Sequence, residues 1–566
     1  MKKVLIIGDP DRAALAIIRN LKNDFFIGLV RFDQYSPTFK SKFVNKYYEC
    51  FKYWNVKILR KCIHDILSKE EYDVLLPVTD SALLFLETFR EDFKNYILAI
   101  PSENSFKFAL NKYELFKIAK EIGFDVPNSF LIKNFENYLK IKSKLKFPLI
   151  AKPISSVKII DDYIVNFKVE IVYNENDLEE IFSENLHKID YLLQEKVKGI
   201  GVGYECLAKN GEIVNFFAHK RIHEPFNGGG SSYRKSISKN KEIYSKFEKL
   251  VNLIRWNGPM MLEFKYDQIN KKYYVMELNG RYWGSLPLVI NAKMNLPFNH
   301  IKMLLNEKNF YSNSYILNIR QRHLLKDVKY IVGILFYKKN VRLFIKEIFE
   351  LLKSLFDKNH FFDLEDKKDF LPAIYSYFYF FKMLLNKLLK KIKIFYFKIK
   401  CSFGKFRLRK ILADRNINKI LFICKGNINR SPFAEQYLKK KSKEKNLNIQ
   451  ILSAGYIFNI KRKSPPIAIK AAKSFGVNLT NHYSKLLDET MIKESDLIFI
   501  MDIENYYYMK EKYPMYLNKV FLLAKFLNKC EIKDPYKQDL KFYKNVYLEI
   551  VNSINIFIEG FISENR

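Results

Sequence analysis

The chain has 566 residues, a net charge of +36 and 48% apolar side chains. That is too long for one core and predicts roughly three to four domains. Its six cysteines (50, 62, 206, 401, 424, 530) lack any Cys-x-x-Cys spacing, which excludes a disulfide framework or a zinc site and suits a reducing cytoplasm.

The positive charge accompanies many Lys, Asn, Ile, Phe and Tyr residues, the bias of AT-rich genomes. No nucleic-acid fold signature goes with it, so no nucleic-acid partner is expected. The apolar core of Met1–Gly8 is too short for a signal peptide. No uncharged apolar run reaches ~18 residues, so no transmembrane helix is expected.

Residues 1–105 read as an α/β unit: a buried strand at Val4–Ile7, a turn at Gly8–Arg12, a helix over Ala13–Leu21 and a strand at Val74–Val78. Gly8 stands alone, and a lone glycine reads as structural support rather than a nucleotide site.

Residues 106–305 carry an ordered set of polar residues on strand-like runs. Lys152 closes Leu149–Pro153, and Leu192–Val197 is an apolar run ending on Glu195, the kind of hinge whose backbone reads an adenine edge. Gly228–Ser232 is a loop able to fold over a triphosphate. Leu262–Phe264 and Val275–Asn279 flank a polar turn, a hairpin that brings Glu263, Glu277 and Asn279 to one end of a sheet. Three hard oxygen ligands suit Mg²⁺, and Arg281 follows, placed to meet phosphate charge. Alternation puts His219, Arg221 and His223 on one strand face, candidates for an acidic substrate or a solvated face.

This order resembles the ATP-grasp superfamily, in particular its carbamoyl-phosphate-synthase-like members, over about residues 1–300, with a Rossmann-like domain preceding the ATP-grasp fold. Asn111-Lys112-Tyr113 resembles the segment opening that domain, with Asn111 in place of the usual aspartate. The resemblance implies that Lys112 and Lys152 contact ATP phosphates, that Glu195 and Val197 face the adenosine, and that Arg281 stabilises the transferring phosphoryl group. Glu263, Glu277 and Asn279 would hold Mg²⁺ or Mn²⁺. The implied activity is ligation: ATP activates an unknown carboxylate, and an amine or another nucleophile displaces the phosphate.

Residues 306–415 show helical periodicity and read as a basic helical connector. No Asp or Glu occurs from Phe370 to Leu412, and Lys382–Lys410 is basic with interleaved aromatic and aliphatic residues. Such a helix fits either an anionic membrane surface, through 370–412, or packing against its own domains or a partner. The localisation expected is cytoplasmic, with peripheral contact to the inner membrane face as the alternative.

Residues 416–566 open on the most informative stretch of the chain. The apolar Ile420–Ile423 runs into Cys424-Lys425-Gly426-Asn427-Ile428-Asn429-Arg430-Ser431-Pro432, where a helix begins. A loop ending at a helix N-terminus collects backbone N–H groups around an anion. Arg430 can fork onto two phosphate oxygens, the setting favours the Cys424 thiolate, and Ser431 can donate to sulfur as it leaves. Asp534, stiffened by Pro535, is a candidate general acid, and Asn427, Ser453 and His482 can shape the loop.

From Lys419 to about Ile562 the chain resembles the low-molecular-weight protein tyrosine phosphatases, whose signature is Cys-x-Gly-Asn-x-Cys-Arg-Ser-Pro with a late Asp-Pro. Asn429 stands where that family usually has a second cysteine, so a protective disulfide within the loop is excluded. The resemblance implies a central parallel sheet, a phosphocysteine intermediate, and a phosphotyrosine protein as substrate, with Tyr483 and Tyr536 walling its ring; a small phosphate ester is the alternative.

The whole reads as an α/β and α+β multidomain protein, a bifunctional ligase and phosphatase. Two alternatives stand beside it: a phosphatase regulated by a non-ligating ATP-binding module, and a scaffold in surface-polysaccharide assembly.

Overall fold

The computed structural model describes the chain apart from 227–228, 308–310, 404–416, 458–461 and 565–566, with backbone alone for 398–403 and 564. Gly228 of the glycine loop, and the basic segment beyond 403, lie outside the described residues. Two compact units result: Met1–Ile132 with Pro148–Ile171 and Ile189–Lys382, and Lys133–Phe147 with Val172–Lys188 and Met383–Arg566.

The first unit begins with a parallel sheet of Lys3–Ile7, Phe26–Arg31, Lys46–Glu49, Val74–Pro77 and Ile97–Leu98, in spatial order 3-2-1-4-5. This is a doubly wound arrangement. Its three central strands, Lys3–Ile7, Phe26–Arg31 and Val74–Pro77, are near-continuously apolar and buried, as parallel strands covered by helices must be. Gly8 has φ +91°, and a Cβ there would meet Thr79 at 2.9 Å; the position needs glycine for that close approach.

Two further sheets follow. Tyr191–Glu195 lies antiparallel between Ser129–Ile132 and Leu149–Pro153 in a four-stranded sheet. Seven strands form the other sheet, and its first five run Lys272–Asn279, Gly258–Asp267, Ile200–Lys209, Glu212–His223 and Tyr233–Ser236, all antiparallel. One face buries Tyr204, Phe216, Leu262 and Phe264 in one core with Phe247 and Leu250 of the Lys241–Leu253 helix.

The basic helical connector expected over 306–415 also contains two strands. Arg320–Arg322 and His360–Phe362 complete the seven-stranded sheet. Both are three-residue strands without apolar alternation, held instead by fully buried ion pairs: Arg234 with Asp363, and Arg322 with Asp327. Helices Leu324–Gly333, Val341–Ser354 and Leu371–Phe403 account for most of the remaining described segment.

The second unit centres on a four-stranded parallel sheet ordered Gln450–Gly455, Lys419–Cys424, Leu497–Ile500, Val520–Leu522. Helices Arg430–Glu444, Pro466–Lys473 and Leu540–Glu564 contribute to its main core. The window Leu540–Ser563 is long and apolar enough to cross a membrane, yet half of it is buried. Tyr547, Ile550, Ile554 and Phe557 fill the core beside that sheet, which accounts for its composition. Helices Phe135–Ile141 and Glu175–Asn185 belong to this unit as well.

Candidate active sites

The front unit holds a cavity of about 580 Å³ whose wall includes the hairpin. Glu263 and Glu277 face each other across the strand pair, and Asn279 follows two residues on. A bulge between Glu263 and Phe264 shifts the register there. Glu263 lies in the middle of the Gly258–Asp267 strand rather than at a sheet end. Asn279 Nδ2 lies 3.4 Å from Glu263 Oε1, and Arg221 pairs with Glu263.

The charge balance favours polyanions. Burial alone would raise the Glu277 carboxyl, but Lys112, Lys152 and Arg221 hold it below the usual carboxylate range. Burial pushes the Lys152 ammonium down to about 8, against the pull of Glu277 and Glu263. Its Nζ donates to the Met276 carbonyl at 2.5 Å. Arg281 Nε donates to Asp80 Oδ1 at 2.7 Å, and Asp80 also accepts from Ser156 at 2.8 Å.

Glu195 and Val197 line the same cavity, with Glu195 Oε1 accepting from the Asn128 N–H at 3.2 Å. Lys112, at the start of a helix capped by Asn111, is buried and does not form part of the cavity wall, though its charge reaches Glu277, Lys152 and Asp80. Thus Lys152, Glu195, Val197, Arg281, Glu263, Glu277 and Asn279 share one cavity, and Lys112 stands behind it.

The shared face expected for His219, Arg221 and His223 is corrected. A bulge between Arg221 and His223 breaks the alternation. His219 and Arg221 line the cavity, but His223 instead hydrogen-bonds Asp327 at 2.8 Å and stacks on Tyr330. His219 Nδ1 lies 2.9 Å from Glu205 Oε1 without hydrogen-bond alignment, and Ser285 donates to the same oxygen at 2.7 Å.

Arg12 was missed by sequence reasoning. It lies in the first helix, lines the cavity and donates to the Ser231 carbonyl at 3.0 Å. A Cβ at Gly284 would sit 2.7 Å from its guanidinium, so a larger residue at 284 would push Arg12 from this position. Asp80 was missed too; nothing local marks either residue.

Among the described residues no three His, Cys, Asp or Glu side chains gather as a metal cluster. The hairpin offers two carboxylates and an amide, a donor set that fits a hard divalent cation completed by phosphates and water.

In the second unit the strand Lys419–Cys424 delivers Cys424 to a loop that runs into the Arg430–Glu444 helix. Cys424 Sγ lies 3.0 Å from Ser431 Oγ and accepts from the Asn427 N–H at 3.3 Å. Asn427, at φ +50°, braces the loop from within. Its Nδ2 donates to Ser431 at 2.9 Å and Ser453 at 2.8 Å, and its Oδ1 accepts from the Lys485 N–H at 2.8 Å. His482 Nε2 meets the Asn427 carbonyl at 2.8 Å, and Ser453 donates to Glu435 at 2.5 Å.

Arg430 is buried, with Nη1 on Asp502 at 2.7 Å and the Ile532 carbonyl at 2.9 Å, and Nη2 on Asp534 at 2.9 Å. The structure therefore gathers Cys424, Asn427, Arg430, Ser431, Ser453, His482 and Asp534. Of the rest of the loop, Lys425 faces Glu504 at 3.9 Å, Ile428 is buried, and Asn429 is buried with its carbonyl accepting from Tyr547 at 3.4 Å. Glu435 and Asp502, which complete the site, carry no local sequence signal.

Residues 419–564 match the family model "Low molecular weight phosphotyrosine protein phosphatase". Residues 187–325 match "ATP-grasp in the biosynthetic pathway with Ter operon". The probable low molecular weight protein-tyrosine-phosphatase AmsI of Erwinia amylovora is 33% identical over 144 residues, covering 25% of this chain and 97% of that protein. Etp of Escherichia coli K12, a low molecular weight protein-tyrosine-phosphatase, is 31% identical over 136 residues, 24% of this chain and 89% of its own. The protein-arginine-phosphatase of Bacillus subtilis 168 is 29% identical over 133 residues, 23% and 88%. Through residues 419–564 the chain belongs to the low molecular weight phosphotyrosine protein phosphatases, and it carries that enzyme fused to an ATP-grasp ligase.

Proposed function

We propose that the C-terminal module hydrolyses phosphotyrosine on proteins through a phosphocysteine. Cys424 Sγ attacks phosphorus while Arg430 and the helix N-terminus hold the phosphate oxygens. Asp534 protonates the departing phenolic oxygen, then takes a proton from the water that opens the thiophosphate, and Ser431 donates to the sulfur as it is released. The observation that carries this reading is Ser431 Oγ 3.0 Å from Cys424 Sγ, in a site where Arg430 already contacts Asp534 at 2.9 Å. Phosphate release from p-nitrophenyl phosphate tests it: Cys424→Ser is expected to abolish turnover. An unchanged rate would remove the assignment. Phosphotyrosine and phosphoarginine peptides, compared side by side, test the leaving group.

For the front module we propose ATP-dependent activation of a carboxylate. Lys152, Lys112 and Arg281 balance phosphate charge, Glu195 and Val197 hold the adenosine, and Glu263, Glu277 and Asn279 hold Mg²⁺. When bound, that cation supplies neutralisation of charge on the transferred phosphoryl group. Paired carboxylates inside a lysine- and arginine-rich cavity support this reading over simple nucleotide sensing. ADP release that rises with a candidate carboxylate and amine is the expected result. Nucleotide binding without ADP release in any such mixture would favour the sensing alternative.

A further inference from the structure

The rim of the phosphatase site holds a second arginine. Arg462 is 8% exposed, and a Cβ at Gly426 of the phosphate loop would lie 3.4 Å from its Nη1. Its backbone is clamped to Ser484, with N–H···Oγ 2.9 Å one way and N–H···O 2.8 Å the other. Its Cζ lies 6.0 Å from the Tyr536 ring centroid. Its Nε is buried with no hydrogen-bond partner among the described residues.

What Arg462 does hold is Glu184, on the Glu175–Asn185 helix. The same stretch of chain sets two more side chains against tyrosines of the second unit. Glu180, one turn earlier, faces Tyr536 and Lys537, and burial followed by the nearby Glu184 charge pushes its carboxyl up to about 7. His187 meets the Tyr483 ring edge-on at 6.3 Å. Glutamates from a distant part of the sequence therefore sit on the cationic, tyrosine-lined entrance beside the loop that carries Cys424. A buried guanidinium with an unused N–H is costly unless it has a charged partner to receive, and its planar fork matches carboxylates.

We propose that Arg462 is a second anion subsite at the phosphatase mouth, receiving an acidic side chain that flanks the phosphorylated residue of the substrate, and that Glu184 fills it in the resting chain as an internal mimic. This rests on the phosphatase reading. It adds a substrate preference, for phosphotyrosine in acidic sequence, and a restraint that such a substrate must displace.

Steady-state kinetics of the full chain decide it, using two phosphotyrosine peptides that differ only in Glu or Gln beside the phosphorylated residue. Wild type is expected to prefer the acidic peptide, and Arg462→Gln to lower that preference about tenfold, the scale of one charge-assisted hydrogen bond. Arg462→Lys, which keeps charge without the fork, should recover part of it. Glu184→Gln should lower KM for the acidic peptide, again about tenfold, with kcat little changed, because an internal competitor has gone. The Glu184 variant leaves Arg462 in place and so guards against misfolding at 462. A preference unchanged in Arg462→Gln, or a KM unmoved in Glu184→Gln, would overturn the subsite while Cys424→Ser stays inactive. Full activity in Cys424→Ser would overturn the phosphatase reading and the subsite together.

Discussion

Asn427 combines a left-handed backbone at φ +50° with hydrogen bonds to Ser431, Ser453 and the Lys485 backbone. Replacing it with Ala removes all three side-chain bonds and leaves a residue strained at that φ. Turnover of p-nitrophenyl phosphate should fall on the order of 100-fold, the cost of slight misplacement of reacting groups. Asn427→Gly relieves the backbone strain alone, so it should recover only a small part. Lys152 yields a pH prediction. Its ammonium titrates near 8 in the free cavity, and bound phosphate must raise that value. ATP affinity measured by calorimetry should therefore hold up to about pH 8 and then fall roughly tenfold per unit. Lys152→Met should flatten the profile. Asp9 has the opposite consequence for stability. Burial raises its carboxyl to about 6, so its folded form binds a proton more tightly than its unfolded form. The benefit is present at low pH and lost as pH rises from the ordinary carboxylate value through about 6. Asp9→Asn keeps an acceptor for the Phe32 and Asp33 N–H groups. It should raise the melting temperature at pH 7.5 and leave it unmoved near pH 4.

At the scale of elements, the two short strands beyond residue 305 decide where the front unit ends. Asp363 neutralises Arg234, and both side chains are fully buried. Asp363→Ala should cost about 3–5 kcal/mol in denaturant unfolding, since it strands a buried charge. A chain stopped at 305 would lose Asp327 and Asp363 and leave Tyr233–Ser236 as an open edge. Such a chain is expected to aggregate on expression. The Leu371–Phe403 helix is a different case. Ile374, Phe378, Phe381, Leu385, Leu388, Ile392 and Phe395 are all exposed, at alternating steps of four and three along the helix, and lysines lie between them. Co-sedimentation of the full chain with anionic vesicles at low salt tests the membrane reading; absence of binding removes it.

For the molecule as a whole, two chemistries share one chain whose segments interleave. Residues 133–147 and 172–188 lie in sequence among strands of the front unit, yet belong to the compact unit that contains the phosphatase site. Separable variants are still expected. Cys424→Ser should end phosphate release while leaving the thermal shift caused by ATP, worth about 2.7 kcal/mol at a hundredfold excess over Kd. Glu277→Gln should do the reverse. Both centres were legible because their key groups are close in sequence: the phosphate loop occupies 424–431, and a two-stranded hairpin places 263, 277 and 279 by register alone. Local chemistry and strand period, set by neighbouring residues, therefore determine the catalytic loop and the carboxylate pair. The tertiary structure alone supplies Arg12 on the wall of the front cavity, Asp80 on Arg281, Glu435 on Ser453, Asp502 on Arg430, the strands at 320–322 and 360–362, and Glu184 on Arg462. These are long-range ion pairs and hydrogen bonds. A charged side chain carries no mark of its partner until folding removes water and forces each buried charge to find one.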